Sequence, residues 1–177
     1  MIKINKQPLP DGVIIKKEED YRSGVVFRML VQDCCSKCYI CEDSVHTAPN
    51  VEHRISCDGN DTLRFCWENL LLSCSHCNNT KLNRYDGIID PTIVDPENLI
   101  DLALDVDNDL REVVRVRKIA GDGEVDITVD LLNAVYNGIK TDMKKYACQQ
   151  LKNKISNELL WFRHEHSPKQ KGNASID

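Results

Sequence analysis

Apolar residues at Val25, Val26, Met29 and Leu30 recur at helical spacing and predict a helix from about Lys17 to Asp33. Ahead of it, residues 1–15 read as an extended arm, because Pro8, Pro10 and Gly12 break any helix. A short strand is predicted around Val51 to Ile55, followed by a turn at Asp58-Gly59. The run Leu70-Leu71-Leu72 predicts a second, buried strand that leads straight into Cys74. Asn78 to about Tyr85 predicts a short helix stopped near Gly87, and Ile88 to Pro96, with Asp90-Pro91 and Asp95-Pro96, a loop. The β-rich runs Arg111–Ile119 and Glu124–Val129 flank Gly121-Asp122-Gly123 and predict a hairpin. From Asp130 to about His164 the pattern is that of a long amphipathic helix with a break near Asn137-Gly138. Its apolar positions, from Leu131 to Trp161, form either core or a partner groove. The polar stretch from Ser167 to Asp177 is expected to fray. The elements add up to an α+β fold.

Composition narrows the class. The 177 residues, 41% hydrophobic and 29% charged, suit a globular protein with one core. No apolar run approaches the roughly 20 residues of a membrane span, and MIKINKQPLP lacks the apolar core of a secretory signal. A cytoplasmic location is therefore expected. The net charge of -5 argues against a free-standing, sequence-tolerant nucleic-acid binder, which would usually be basic. The charge is uneven, however. Six acids and no base lie between Pro91 and Leu110, whereas Arg111 to Lys171 carries twelve bases and eight acids. Lys140, Lys144, Lys145, Lys152 and Lys154 could form a backbone-binding stripe or a solvated helix face.

Nine cysteines in a reducing compartment point to metal ligation rather than disulfides. Cys38-Tyr-Ile-Cys41 and Cys74-Ser-His-Cys77 are two C-x-x-C knuckles separated by 32 residues. Each can present two sulfurs to one ion, and two complete the tetrahedron of a structural zinc. Cys35-Ser-Lys-Cys38 has the same spacing, so Cys35 competes with Cys41 for the fourth position. His76, inside the second knuckle, is expected to point away. Cys34, Cys57, Cys66 and Cys148 have no partner spacing.

The residues around and between these knuckles supply the parts of a phosphodiester hydrolase. A histidine is suited to deprotonating water near neutral pH, and His53 is a candidate. A hard cation takes oxygen ligands, for which Glu52 and Asn78 are of the right type. Glu52 and His53 are adjacent, however, and on an extended strand they would face opposite ways. A bend would be needed to aim both at one phosphate.

The order Cys38/Cys41, Glu52-His53, Asn69-Leu70, then Cys74/Cys77-Asn78-Asn79-Thr80-Lys81 resembles the HNH, or ββα-metal, endonuclease family over residues 38 to 81. The resemblance implies a zinc-stapled ββα core and a role for each matching position. His53 would be the general base, with Asn69 orienting it by a hydrogen bond across the ribbon. Glu52 and Asn78 would hold a catalytic Mg²⁺ or Mn²⁺, and Lys81 would contact phosphate or only solvate its helix. Asn78 stands where many members have histidine, which leaves the choice of metal open. Tyr39 to Glu42, Trp67 to Lys81 and Ile89 to Pro91 further resemble the HNH nucleases of Septu and retron anti-phage systems, which are paired with an ABC/SMC-like ATPase. Such a partner could supply the grip on nucleic acid that an acidic chain lacks.

The expected organisation is an N-terminal arm and helix (1–33), an HNH core (34–90), and a hairpin and helical region that binds a partner (91–177). The expected function is metal-dependent cutting of DNA, or of RNA, by an anti-phage effector. A non-enzymatic zinc module and a free-standing restriction-type nuclease are the rivals. Glu52-His53 with Asn78 separates the first rival, and robust cutting by the isolated chain would mark the second.

Overall fold

The computed structural model describes residues 1–44 and 47–166. The helix expected before the knuckles forms as two, α1 (Glu18–Arg22) and α2 (Gly24–Asp33), broken at Ser23, which is extended. β1 (Pro49–His53) and β2 (Leu70–Cys74) pair antiparallel, with Glu52 opposite Leu71 and His53 opposite Leu70. Between them lie the single-turn helix α3 (Asp61–Arg64) and a short 3-10 turn. β2 runs without a gap into α4 (Ser75–Lys81). Leu70, Leu71 and Leu72 are all fully buried, as a continuous apolar run implies. Burial of each contributes about 1.5–3 kcal/mol, so packing on both faces anchors the five-residue strand.

The second sheet differs from the expected hairpin. β3 (Ile100–Val106) pairs antiparallel with β4 (Glu112–Lys118), whereas Glu124 to Val129 opens a helix, α5 (Glu124–Asn137). The acids counted between Pro91 and Leu110 hide an alternating strand. Asp101 pairs with Arg117 at 2.5 Å, and Asp105 pairs with Arg115. The segment after Gly123 alternates too, yet Val125, Thr128, Leu131, Leu132, Val135 and Tyr136 form one buried face at helical spacing. The longer period governs because it buries more. Gly121 turns the chain with φ +82°, and a Cβ there would lie 2.8 Å from Val125 Cγ2.

α6 (Asp142–His166) follows the break expected at Asn137-Gly138. A Cβ on Gly138 would lie 2.7 Å from the Ala134 carbonyl oxygen, so the close turn requires glycine. Cys148 and Leu151 are buried, but Ile139, Met143, Leu159 and Trp161 are exposed and form no core. The main core joins Ile4, Tyr39, Leu72, Ile89, Val114 and Leu131, which come from all three expected segments. A smaller cluster holds Tyr21, Leu30, Trp67 and Leu70 together. No helix among the described residues is long and apolar enough to cross a membrane. The tail from Ser167 to Asp177 lies outside the described residues.

Candidate functional site

The first knuckle follows α2. Cys38 N–H donates to the Asp43 carbonyl at 2.9 Å, Glu42 N–H donates to the Cys38 carbonyl at 2.8 Å, and Tyr39 N–H ties the turn to Leu72 of β2 at 2.9 Å. The second knuckle spans the β2–α4 junction, where Cys74 caps α4 by accepting from Cys77 N–H at 3.4 Å. The sulfurs of Cys38, Cys41, Cys74 and Cys77 all lie within 4.8 Å of one another, and those of Cys41 and Cys74 are 3.8 Å apart. A zinc–thiolate tetrahedron with bonds of about 2.3 Å has edges of about 3.8 Å, so this donor set fits zinc. The fourth member is Cys41, not Cys35, which is exposed and has φ 52°. His76 is outside the cluster; its Nε2 lies 2.9 Å from the Val135 carbonyl oxygen, binding α4 to α5. Among the described residues no other group of three or more His, Cys, Asp or Glu side chains could share an ion.

His53 ends β1 and lines an open cleft of about 480 Å³, together with Tyr21, Arg22, Cys57, Arg64 and Asn78. Its Nε2 lies 2.9 Å from the Arg64 carbonyl oxygen. A carbonyl can only accept, so Nε2 carries the hydrogen and Nδ1 of the neutral ring keeps its lone pair. Tyr21 packs edge-on against the ring, with centroids 5.7 Å apart. Burial holds the His53 pKa below its ordinary value, and the charges of Arg64 and Lys81 act in the same direction. The Arg64 carbonyl pulls it back only in part. At neutral pH the ring is uncharged and able to take a proton.

Asn69 does not reach across the ribbon to His53. Its Oδ1 accepts from Ile55 N–H at 2.8 Å, and its Nδ2 donates to the carbonyls of Ile55 at 2.9 Å and Leu63 at 3.0 Å. It acts one step removed, by pinning the loop whose next residue, Arg64, fixes the imidazole. Asn78 borders the cleft half-buried.

The expected roles of Glu52 and Lys81 are corrected by strand alternation. With no bend in β1, Glu52 turns inward, and only 5% of it is exposed. Its two oxygens accept from Lys81 Nζ at 2.8 Å and from the Tyr39 hydroxyl at 2.5 Å. Each oxygen thus has one protein partner, and the carboxylate sits in the wall of the cleft that His53 and Asn78 also line. Burial raises its carboxyl pKa, against the pull of Lys81 and Tyr39. Lys81 is fully buried and neither meets phosphate nor solvates its helix. Its Nζ also donates to the carbonyls of His53 at 3.0 Å and Leu82 at 3.2 Å and lies 3.6 Å from Asp86. The pair is a strut behind His53. Both expected donors line the cleft, but the Glu52 carboxylate is already bonded to Lys81 and Tyr39, which leaves the Asn78 amide as the less engaged of the two.

Of the expected basic stripe, four members make internal contacts. Lys144 bonds Thr80 Oγ1, Lys145 Asp142, Lys152 the Glu112 carbonyl and Lys154 Asp43. His164 and His166 are exposed near the end of α6. Tyr21, Arg22 and Arg64 were not anticipated. They come from α1 and α3, outside the matched pattern or in its variable loop, and no spacing marks them. No family model matches the chain, and no curated protein or solved structure was found to be similar to it.

Proposed function

We propose that this chain is an HNH-type endonuclease that hydrolyses a phosphodiester bond of DNA or RNA. The observation carrying this reading is His53: one ring nitrogen is fixed by a backbone carbonyl at 2.9 Å, and the ring lines an open cleft beside Asn78. In the proposed step Nδ1 takes a proton from water as the water oxygen attacks phosphorus. The bond to the leaving oxygen breaks on the opposite side. The Arg64 carbonyl keeps the ring oriented as it becomes charged. A bound Mg²⁺ or Mn²⁺ would supply Lewis-acid help to the leaving oxygen, with Asn78 as its protein donor and phosphate oxygens and water completing its shell. The four-cysteine cluster, filled with zinc, would set the angle between ribbon and helix and so the separation of His53 and Asn78.

An anti-phage role with an ABC/SMC-like ATPase belongs to the same reading, supported by the resemblance at Trp67 to Lys81 and by the acidic chain. One observation favours the rival zinc-module reading: the acid expected to hold the cation is already bonded to Lys81 and Tyr39. The deciding assay uses plasmid, single-stranded DNA and tRNA with Mg²⁺ or Mn²⁺. Wild type and His53→Ala are each assayed alone and with an ATPase encoded beside the gene. Cutting that requires both metal and His53 is expected. Binding without cutting under every condition, with zinc retained, would leave the module.

A further inference from the structure

We infer that Arg64 grips the phosphate on which His53 acts; this rests on the phosphodiester reading above. A phosphate beside His53 needs a positive partner, and Lys81, the residue expected to provide one, is buried behind the strand. The cationic side chains lining the cleft are Arg22 and Arg64. Arg22 is held by Glu18 at 2.8 Å. Arg64 hydrogen-bonds the Cys57 side chain and lies 3.7 Å from exposed Asp61, and one-third of its side chain is exposed, so no carboxylate clamps its fork as Glu18 clamps Arg22.

Arg64 is also the residue whose carbonyl fixes His53. A phosphate held by its guanidinium would therefore be registered to the base through one backbone unit. The supporting turn is well anchored. Asn60 caps α3 by accepting from Thr62 N–H at 3.0 Å and Leu63 N–H at 3.4 Å, and Asn69 holds the Leu63 carbonyl. Arginine's planar fork suits two phosphate oxygens at once, which a lysine cannot match. Glu18 and Asp58 border the same cleft. They repel neighbouring phosphates, so the grip is confined to one phosphate rather than a track.

The test measures binding of a fluorescein-labelled single-stranded oligonucleotide by anisotropy across a salt series. His53→Ala is compared with His53→Ala/Arg64→Gln, beside cleavage by wild type and Arg64→Gln. Zinc content and melting temperature monitor the fold. Loss of a charge-assisted contact should weaken binding by about tenfold or more. It should also lower the slope of log affinity against log salt by about 0.7, one phosphate's worth for a single strand. A merely structural role would not remove one unit of salt dependence. Arg64→Lys covers the case in which the glutamine variant does not fold: it should keep the slope and still bind about threefold or more weaker, having lost the fork. An unchanged slope and affinity, with wild type cutting, overturns the grip and leaves the nuclease reading standing. A lowered slope without cutting by wild type, both alone and with the ATPase, supports phosphate binding by Arg64 and removes the nuclease reading. An oligonucleotide that does not bind at all overturns the grip.

Discussion

His53 is made useful by what its neighbours withhold. Tyr21 and the strand partly exclude water, so the charged ring is disfavoured and its pKa falls below the ordinary value. In the proposed reaction the base is the neutral form. The pH profile of kcat/KM should therefore rise through a midpoint below about 6.5 and be flat from neutrality upward. Tyr21→Leu removes the ring edge and admits water, which should move that midpoint upward, towards the ordinary value. A midpoint above 7 in wild type would contradict the neutral-base assignment. The same shift bears on folding. A histidine with a depressed folded pKa binds fewer protons folded than unfolded, so its stabilisation is present above the unfolded value and is lost as pH falls through the folded one. His53→Ala should cut at least about 100-fold more slowly than wild type in single-turnover assays with its zinc content unchanged, the usual scale for a lost general base.

At the scale of elements, β1 carries His53 half-exposed in the cleft and Glu52 buried in the cleft's wall, where Lys81 and Tyr39 hold its carboxylate. Lys81 then ties the last turn of α4 to the carboxylate of one residue and the carbonyl of the next. Removing one partner of such a buried pair leaves an uncompensated charge and costs about 3–5 kcal/mol. Lys81→Met should lower stability by that amount in urea titrations, and Lys81→Met/Glu52→Gln should recover much of it. If Lys81→Met were as stable as wild type and only cutting suffered, Lys81 would be a phosphate ligand after all. The ribbon was readable because Leu70–Leu72 carries a buried-strand pattern, whereas α4 spans Ser75–Lys81 and not Asn78 to about Tyr85, because Cys74 caps it directly after β2. The burial of Glu52 beside half-exposed His53 follows from the strand period alone. The burial of Lys81 does not, since a lysine in a last helical turn carries the same local pattern whether it meets solvent or a carboxylate. Arg64 was hidden for a related reason: α3 has four residues, too few to show any periodicity. The second sheet was misread because Glu124 to Val129 satisfies periods of 2 and 3.6 together, and only the packing of Leu131 to Tyr136 decides between them.

For the molecule as a whole, the four cysteines reach further than the ribbon they staple. The Tyr136 hydroxyl donates to the Cys41 carbonyl at 3.1 Å, and His76 meets the Val135 carbonyl oxygen at 2.9 Å. Both knuckles are thereby hitched to α5, which packs on β4 and α6. The main core crosses the same junction. A structural metal site is coupled to folding, so loss of zinc should not stay local. Stripping the protein with a strong chelator should melt β1, β2 and α4 together with α5 and the β3–β4 hairpin, in one transition. Cys77→Ser should do the same without chelator and should fail to retain stoichiometric zinc. Circular dichroism at 222 nm reads the helices, and hydrogen exchange reads the β3–β4 amides separately. Retention of the α5 and hairpin signals after the ribbon has melted would mean that residues 91–166 fold on their own core, with the knuckles merely docked against them. A Cys77→Ser chain that kept full zinc and a wild-type melting curve would remove Cys77 from the ligand set.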